Sequence, residues 1–298
     1  MNFFNFLDKL KRSYNSLILY CLLDRVSIIV LGDDSEDIDN ILIELSELIH
    51  FRKEYIFYTD FISPEEYENL ISNENIDYNY QRAHIRCPSN VSFKALNQFE
   101  NINSWLIGVI IPNQKEKLYR LKDLINIKTE KLIYITYLSD KLSIELKGIN
   151  LKSIDLTLEM NIFKKISIGT EKSINKMKRV LTDKIKVNNL DNDLVSTLLD
   201  FNEEKKELKK NIFKREIQNF YSGSKRAFFI LSRLNLLNSI GFHTGIGSKT
   251  LFETIDYEDA SIERIISFIS KEWGEDFSNL IEDNKKNFIG DKIVSLWG

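Results

Sequence analysis

One stretch near the N-terminus, residues 25–61, constrains the fold of this 298-residue chain more than any other. Residues 26–31 form an apolar run interrupted only by Ser27, as in a strand that is covered on both faces. An acidic turn follows, and apolar residues then recur at helical spacing before a second apolar run that ends at Asp60. This order predicts a strand, a helix and a second strand, which together make a βαβ unit.

The pattern after this unit extends it into a larger sheet. We predict further helices over residues 3–23, 64–72, 91–99, 115–125 and 170–184, and further strands over residues 82–86, 105–111, 132–138, 142–146 and 154–158. All three prolines, Pro64, Pro88 and Pro112, come just beyond predicted strands, where proline suits a turn or the entry to a helix. The last two predicted strands alternate apolar and polar residues, which is typical of antiparallel strands at a sheet edge.

The chain from residue 193 onward reads as helical. The predicted helices cover residues 193–220, 225–240, 261–273 and 275–297, with a break at Ser222 and Gly223 and a short helix near Leu251. A polar stretch over residues 186–192 marks the predicted domain boundary. The predicted fold is therefore an α/β, mainly parallel, Rossmann-like three-layer sandwich with an antiparallel edge over residues 1–186, followed by an all-helical domain over residues 187–298.

Composition favours an ordinary globular protein of the cytoplasm. Hydrophobic residues make up 43% of the chain and charged residues 29%, and the two cysteines, Cys21 and Cys87, are too few for a disulfide framework. The longest apolar run, residues 17–23, is far shorter than the roughly 20 residues that span a bilayer. We therefore expect no transmembrane segment.

The charge is distributed unevenly along the chain. Residues 1–113 contain 9 Lys and Arg against 17 Asp and Glu, whereas residues 114–186 contain 17 against 9. Such an asymmetry arises when the solvated faces of helices differ in charge, and it also arises when the basic part binds an anionic partner. The sequence leaves both explanations open.

Three acidic residues suggest a metal site. Asp33 and Asp34 follow the first predicted strand and Asp60 ends the second, at the carboxyl ends where parallel sheets bind ligands. Three carboxylates together could hold Mg²⁺ for phosphoryl chemistry. The alternative is that these acids stabilise the N-terminus of the following helix and solvate a loop.

The turn after the first strand does not have the composition of a phosphate-binding loop. The segment LGDDSEDIDN contains one glycine, no lysine and five acids within seven residues. The following segment, YIFYTDFISPEEYENL, is similar to the strand and helix after the first unit of RecA-like ATPases. That resemblance covers under a fifth of the chain and keeps no functional residue, and WLIGVIIP lacks the terminal acid of a Walker B strand. It implies a degenerate, non-hydrolysing domain, and we assign no family from it.

A glycine-rich loop over residues 241–250 provides a candidate anion site. Its GIGSKT sequence has Ser248 where a Walker A motif requires glycine, and no predicted strand precedes it. Lys249 in this loop, together with Lys225 and Arg226 in the preceding helix, forms the predicted anion-binding set. The alternative is a plain connection between two helices.

The remaining candidates concern nucleophiles and nucleic acids. His50, His84 and His243 have no metal-ligand spacing, and His84 and Cys87 lie three residues apart, on opposite faces of a strand. The helix over residues 225–240 and the loop after it resemble part of a helix-turn-helix motif, although the basic stripe is thin. The face formed by Lys172, Lys176, Lys178 and Arg179 is better placed for phosphate contacts.

We therefore interpret the sequence as a non-catalytic binding or regulatory protein of the cytoplasm, without a cofactor. The helical domain is the expected interaction part, and a protein partner or self-association is the expected mode. The alternative is a metal-dependent enzyme that acts on phosphorylated or nucleotide substrates through Asp33, Asp34 and Asp60. A nucleic-acid-binding regulator is the third hypothesis.

Overall fold

A computed structural model describes residues 12–74, 82–111, 115–138, 141–188 and 192–282. Its main feature is a six-stranded sheet with the order β2-β3-β4-β1-β5-β6. The strands are β1 (Ser27–Gly32), β2 (Lys53–Ile56), β3 (Ala83–Cys87), β4 (Trp105–Ile110), β5 (Leu132–Leu138) and β6 (Lys141–Lys147). All neighbouring strands pair in parallel except β5 and β6, which are antiparallel. The predicted fold class, a mainly parallel sandwich with an antiparallel edge and a helical C-terminal region, is confirmed.

The connections of the parallel strands determine which face each helix covers. Helix α1 (Arg12–Leu23) precedes the sheet, and α2 (Ser35–Leu48), α3 (Pro64–Glu74), α4 (Ser92–Gln98) and α5 (Lys115–Lys128) connect its strands. The chain crosses the sheet in one direction from β1 to β2 and returns in the other from β2 through β5. Because such crossovers are right-handed, α2 belongs on one face and α3, α4 and α5 on the other.

Packing on the two faces agrees with this arrangement. Ile29 and Leu31 of β1 lie in one core with Ala95 of α4 and Leu121 of α5. On the opposite face, Gly108 of β4 lies so close to α2 that an added Cβ would sit 2.7 Å from Ile38 Cγ2. A side chain at this position would separate helix and strand, which explains glycine in the middle of a buried strand.

Helix starts follow the local signals in the sequence. Asp34 caps α2 by accepting a hydrogen bond from the Asp37 N–H at 2.9 Å. At the start of α3, Ser63 Oγ accepts from the Glu66 N–H at 3.3 Å, and Glu66 Oε2 accepts from the Ser63 N–H at 3.0 Å. This reciprocal pair is a capping box, and Pro64 occupies the first helical position beside it.

The region after β6 differs from the sequence prediction. Residues 154–158 do not form a strand, because helix α6 begins at Thr157 and runs to Asn188. Thr170, the predicted cap of a helix over residues 170–184, is buried inside α6. The buried positions Leu158, Ile162, Ile166, Thr170 and Ile174 recur every four residues, so helical packing outweighs the short alternating pattern that suggested a strand.

The next two helices are α7 (Asn192–Leu198) and α8 (Asn202–Ser239). The predicted helix over residues 193–220 begins correctly but is interrupted at residues 199–201, and α8 continues through the predicted break at Ser222 and Gly223. A Cβ on Gly223 would lie 2.8 Å from Tyr257 Cβ, so this glycine permits close packing of α8 against Tyr257. Gly241 follows α8 with φ of +95°, the left-handed conformation that glycine often adopts just after a helix.

The chain divides into two compact units, residues 1–218 and residues 219–298. The second contains the end of α8, α9 (Ser248–Ile255), α10 (Ile262–Trp273) and the short parallel pair β7 (Ile246–Gly247) and β8 (Ile281–Glu282). The predicted helix over residues 275–297 is wrong over residues 278–282, which form a 3₁₀ turn and β8, and residues 283–298 lie outside the described part. The division falls inside α8, and the predicted domain boundary between residues 186 and 187 stays a prediction.

Candidate functional sites

The structure does not bring the three predicted metal ligands together. Asp33 and Asp34 follow β1, whereas Asp60 follows β2, which is separated from β1 by β3 and β4. At about 4.8 Å between strands, β1 and β2 lie roughly 14 Å apart. Within the described ranges, no group of three or more His, Cys, Asp or Glu side chains is arranged to hold a metal ion.

Two of these carboxylates make local hydrogen bonds. Asp34 caps α2, and Asp60 Oδ2 accepts from the Ile56 N–H at 2.6 Å across the turn that ends β2. Asp33 is exposed. This arrangement matches the alternative explanation of these acids, in which they stabilise a helix N-terminus and a turn.

The connection between β1 and α2 is too short to cradle a phosphate. Only Asp33 and Asp34 separate the end of β1 from the start of α2. A Cβ on Gly32 would lie 3.0 Å from both Ile38 Cγ1 and the Tyr137 carbonyl oxygen, so side-chain and backbone atoms fill the space at this strand end. A phosphate-binding loop instead needs several free backbone N–H groups around an open space.

The predicted anion-binding residues lie in the second unit. Lys225 and Arg226 lie on α8, where Lys225 Nζ is 5.8 Å from the centroid of the Phe229 ring. Lys249 lies at the start of α9 and its Nζ is 3.8 Å from Glu253 Oε1. The three side chains come from two helices, and the anion site stays a prediction.

A buried polar cluster that the sequence did not predict lies between α2, β2 and β3. Ser46 of α2 donates to Glu54 Oε1 of β2 at 2.5 Å, and its Oγ lies 2.7 Å from His84 Nε2 of β3. Arg86 of β3 donates through Nε to the same Glu54 oxygen at 2.7 Å. Glu54 and His84 are direct partners in the parallel register, which brings these residues together from three elements.

The protonation of this cluster follows from its hydrogen bonds. Burial by itself would raise the pKa of Glu54, but hydrogen bonds from Arg86 and Ser46 and the charges of Arg86 and His84 together hold that pKa below its usual value. The carboxylate is thus ionised and accepts the one hydroxyl hydrogen of Ser46. His84 Nε2 must then carry its own hydrogen and donate it to Ser46 Oγ.

This tautomer is the wrong one for a serine nucleophile. A general base would have to accept the hydroxyl proton through an unprotonated ring nitrogen, whereas Nε2 of His84 is the donor here. Ser46 is also buried, within the last turn of α2. The cluster therefore joins α2 to the sheet through the contacts of Ser46 with Glu54 and His84, and its hydrogen-bond order differs from that of a serine hydrolase.

Neither cysteine has the properties of a nucleophile. Cys87 faces the core that contains Trp105, and burial, with a smaller contribution from Asp39, raises the pKa of its thiol far above the usual value. Burial, with contributions from Asp24 and Glu159, also raises the pKa of the Cys21 thiol. His84 contacts α2 on the opposite face of β3, so the predicted separation of His84 and Cys87 is confirmed. A thiol with a raised pKa carries very little thiolate at neutral pH.

An open groove of about 420 Å³ lies in the second unit beside α10. Its lining includes Ile262, Ile266 and Ile281 together with Glu263, Lys271 and Asp276. The Asp276 carboxylate accepts from the Ser278 N–H at 3.0 Å and from the Ser278 hydroxyl at 2.5 Å, so it stabilises its own turn. The groove has mixed charge and contains no pair of groups placed for acid–base catalysis.

The C-terminal part of α8 and the two residues around Gly241 expose large apolar side chains. We define the α8 apolar surface as Phe229, Leu236, Leu237, Ile240 and Phe242. Leu236, Ile240 and Phe242 are each 63% exposed, and Phe229 and Leu237 about 40%. Phe229, Leu236 and Ile240 are spaced by seven and four residues and share one face of the helix.

Gly241 donates to the Asn238 carbonyl at 3.1 Å and Phe242 to the Leu237 carbonyl at 3.0 Å, which fixes the reversal after the helix.

The charged residues along this segment of the chain have one sign. Residues 217–252 contain Lys225, Arg226, Arg233 and Lys249 and no Asp or Glu. Lys225, Arg226 and Arg233 lie on the face of α8 that carries Phe229, Leu236 and Ile240, at helical spacings of three, four and seven. The face is therefore basic at one end and apolar at the other.

Comparison with models of known protein families, with characterised proteins and with solved structures finds no match to this chain. Among the residues that the structure describes, none of the helices has the length and apolarity needed to cross a bilayer. The geometry of the described residues is therefore the basis for a functional proposal.

Proposed function

We propose that this protein is a non-catalytic binding protein and that its second unit binds an acidic, amphipathic helix of a partner protein along α8. The observation that carries this proposal is the α8 apolar surface. Burying a fully exposed large apolar side chain contributes about 1.5–3 kcal/mol, and this surface presents five that are between 39% and 63% exposed.

The shape and the charge of this face define its partner. A straight helix with apolar residues at spacings of four and seven offers the ridge along which a second helix packs. The basic residues on the same face, Lys225, Arg226 and Arg233, would meet acidic residues at the rim of such a partner. Two copies of this face would bring like charges together, which disfavours self-association through it.

The absence of a catalytic arrangement among the described residues supports the same proposal. The aspartates of the metal hypothesis lie apart, the Ser46–His84 pair has the wrong tautomer, and both thiols are held protonated. The α/β unit is then a scaffold, and binding is the remaining role that the exposed surfaces support.

The test is a change of one exposed residue. Leu236→Glu places a negative charge in the middle of the apolar surface, and Ile127→Glu makes the same change at an 85% exposed position of α5 in the first unit. We expect affinity purification with the full chain to enrich a partner with the wild type and Ile127→Glu but not with Leu236→Glu. Purified partner and full chain should then show a dissociation constant at least about tenfold weaker for Leu236→Glu, a loss of about 1.4 kcal/mol.

Other outcomes would contradict the proposal. If no partner depends on Leu236, or the partner segment is basic, the proposed surface is wrong. If sedimentation shows that the wild type is a dimer and Leu236→Glu a monomer, the occupant is a second copy. If Leu236→Glu lowers the thermal midpoint strongly, the surface is covered within the chain, because a change at a solvated position costs at most about 0.5 kcal/mol.

A further inference from the structure

Helix α6 of the first unit carries four exposed cations within eight residues. Lys172, Lys176, Lys178 and Arg179 are all exposed, and Glu171 and Asp183 are the nearest acids of the helix on either side. This segment lies in the part of the chain that has an excess of eight positive charges. The structure shows that these charges are on a helix surface rather than used within the fold.

These four cations lack the side-chain partners that several lysines near them have. Within the described residues, no ion pair or hydrogen bond involves Lys172, Lys176, Lys178 or Arg179. Lysines of the adjacent α8 are paired: the Nζ atoms of Lys206 and Lys210 each lie 2.6 Å from a carboxylate oxygen, of Glu203 and Glu47 respectively. Earlier in α6, Lys165 Nζ lies 3.7 Å from Glu216 Oε2. The fold therefore neutralises several nearby cations and leaves these four available.

Three of the four form a straight row. Lys172, Lys176 and Arg179 are spaced by four and three residues, which places them on one face over about 10 Å of helix. The opposite face is buried through Ile166, Thr170 and Ile174, so the row is held on a fixed element. A row of separate charges along a rod matches a linear polyanion, whereas a single small anion is bound by converging donors.

We infer that the α6 basic face (Lys172, Lys176, Lys178 and Arg179) binds the phosphate backbone of nucleic acid without reading its bases. Between Lys172 and Arg179 the sequence has no aromatic residue for stacking and a single amide, Asn175, so most of the expected contacts are to phosphates. Its residues lie in the first unit, and the inference is independent of the partner-binding role proposed for α8.

The experiment is a salt titration of binding by the full chain to a fluorescently labelled DNA duplex of mixed sequence. Three phosphate contacts predict a slope of log affinity against log salt near about −2.7, so affinity should fall about 40-fold between 50 and 200 mM salt. The triple variant Lys172→Glu, Lys176→Glu, Arg179→Glu should bind at least about tenfold more weakly at the lower salt concentration.

The matched control changes the net charge by the same amount elsewhere on the first unit. Lys131, Lys141 and Lys152 are exposed, and their triple change to Glu should leave affinity within about twofold of the wild type. Thermal midpoints of both triple variants should stay close to the wild type, because all six positions are solvated. The Leu236→Glu variant should bind the duplex as the wild type does, which separates this inference from the proposed function.

Three results would overturn the inference. The first is the absence of binding at 50 mM salt, and the second is an equal loss of affinity in the two triple variants. The third is tighter, α6-dependent binding to vesicles that contain phosphatidylserine, which would assign the face to an anionic membrane. A scrambled duplex and a single strand should bind with similar affinity, and a strong preference for one sequence would contradict the lack of base readout.

Discussion

At the scale of single residues, the chemistry of this protein is decided by hydrogen-bond partners rather than by residue type. Ser46, His84 and Glu54 are the residue types of a hydrolase triad, yet the carboxylate contacts the serine, and the histidine donates to it. The same carboxylate accepts from Arg86, which is largely buried. The cluster therefore stabilises the junction of α2, β2 and β3 through hydrogen bonds that Glu54 accepts from Ser46 and Arg86.

The charge of Glu54 should contribute measurably to stability. Glu54→Gln leaves the mostly buried Arg86 without its anionic partner, and since Glu54 is about a third exposed we expect a loss of about 1–2 kcal/mol in the free energy of unfolding. Urea denaturation at neutral pH measures this loss in the free energy of unfolding. The control is Glu145→Gln, which removes a pair of similar length, 2.6 Å, from an exposed site and should cost less than about 0.5 kcal/mol.

The pH dependence of this effect has a defined sign. The pKa of Glu54 is lowered in the folded protein, so the carboxylate stabilises the fold at pH values above its unfolded pKa of about 4.3. This contribution is lost as pH falls through the lower, folded pKa. The difference between wild type and Glu54→Gln should therefore shrink as pH falls below about 4.3, and a difference that stays constant as the protein is acidified would contradict the assignment.

At the scale of elements, two long helices depend on glycines that allow close packing. Gly169 of α6 lies beside Ile212 of α8, and Gly223 of α8 lies beside Tyr257. The two glycines differ in what an added methyl group would meet. At Gly169 it would meet the flexible end of a side chain at 3.1 Å, whereas at Gly223 it would meet Tyr257 Cβ at 2.8 Å, an atom close to the backbone.

This difference predicts opposite effects of one substitution. Gly169→Ala should be neutral or stabilise the protein by up to about 1 kcal/mol, because alanine favours helix and the Ile212 methyl can move. Gly223→Ala should destabilise the protein by about 1 kcal/mol or more, because overpacking outweighs the gain in helix propensity. Thermal or urea unfolding of the two variants measures both changes in stability. Equal changes would contradict the difference in packing between Gly169 and Gly223.

At the scale of the whole molecule, strand order decides which side chains meet. Since β3 and β4 lie between β1 and β2, the acids that follow β1 and β2 are held apart even though they are close in sequence. The same order places Glu54 beside His84, which is 30 residues further along the chain.

Strand order also leads to a prediction about metal ions. Because Asp33, Asp34 and Asp60 do not converge, millimolar Mg²⁺ or Mn²⁺ should shift the thermal midpoint of the full chain by less than about 1 °C. Chelator-treated protein is the reference. A larger rise that Asp33→Asn abolishes would restore the hypothesis of a metal-dependent enzyme.

The sequence by itself determined the features that depend on neighbours in the chain. Apolar runs mark β1, β4 and β5, Asp34 and the Ser63–Glu66 pair mark helix starts, and Gly241 marks a helix end, because burial and capping leave a local pattern. Only the tertiary structure decided the strand order, the continuity of α6 and α8, and the grouping of Ser46, Glu54, His84 and Arg86. These features depend on contacts between residues far apart in sequence. Packing against Tyr257 or Ile212 outweighs the helix break that a glycine indicates locally, and helical packing outweighs the strand that a short alternating segment indicates.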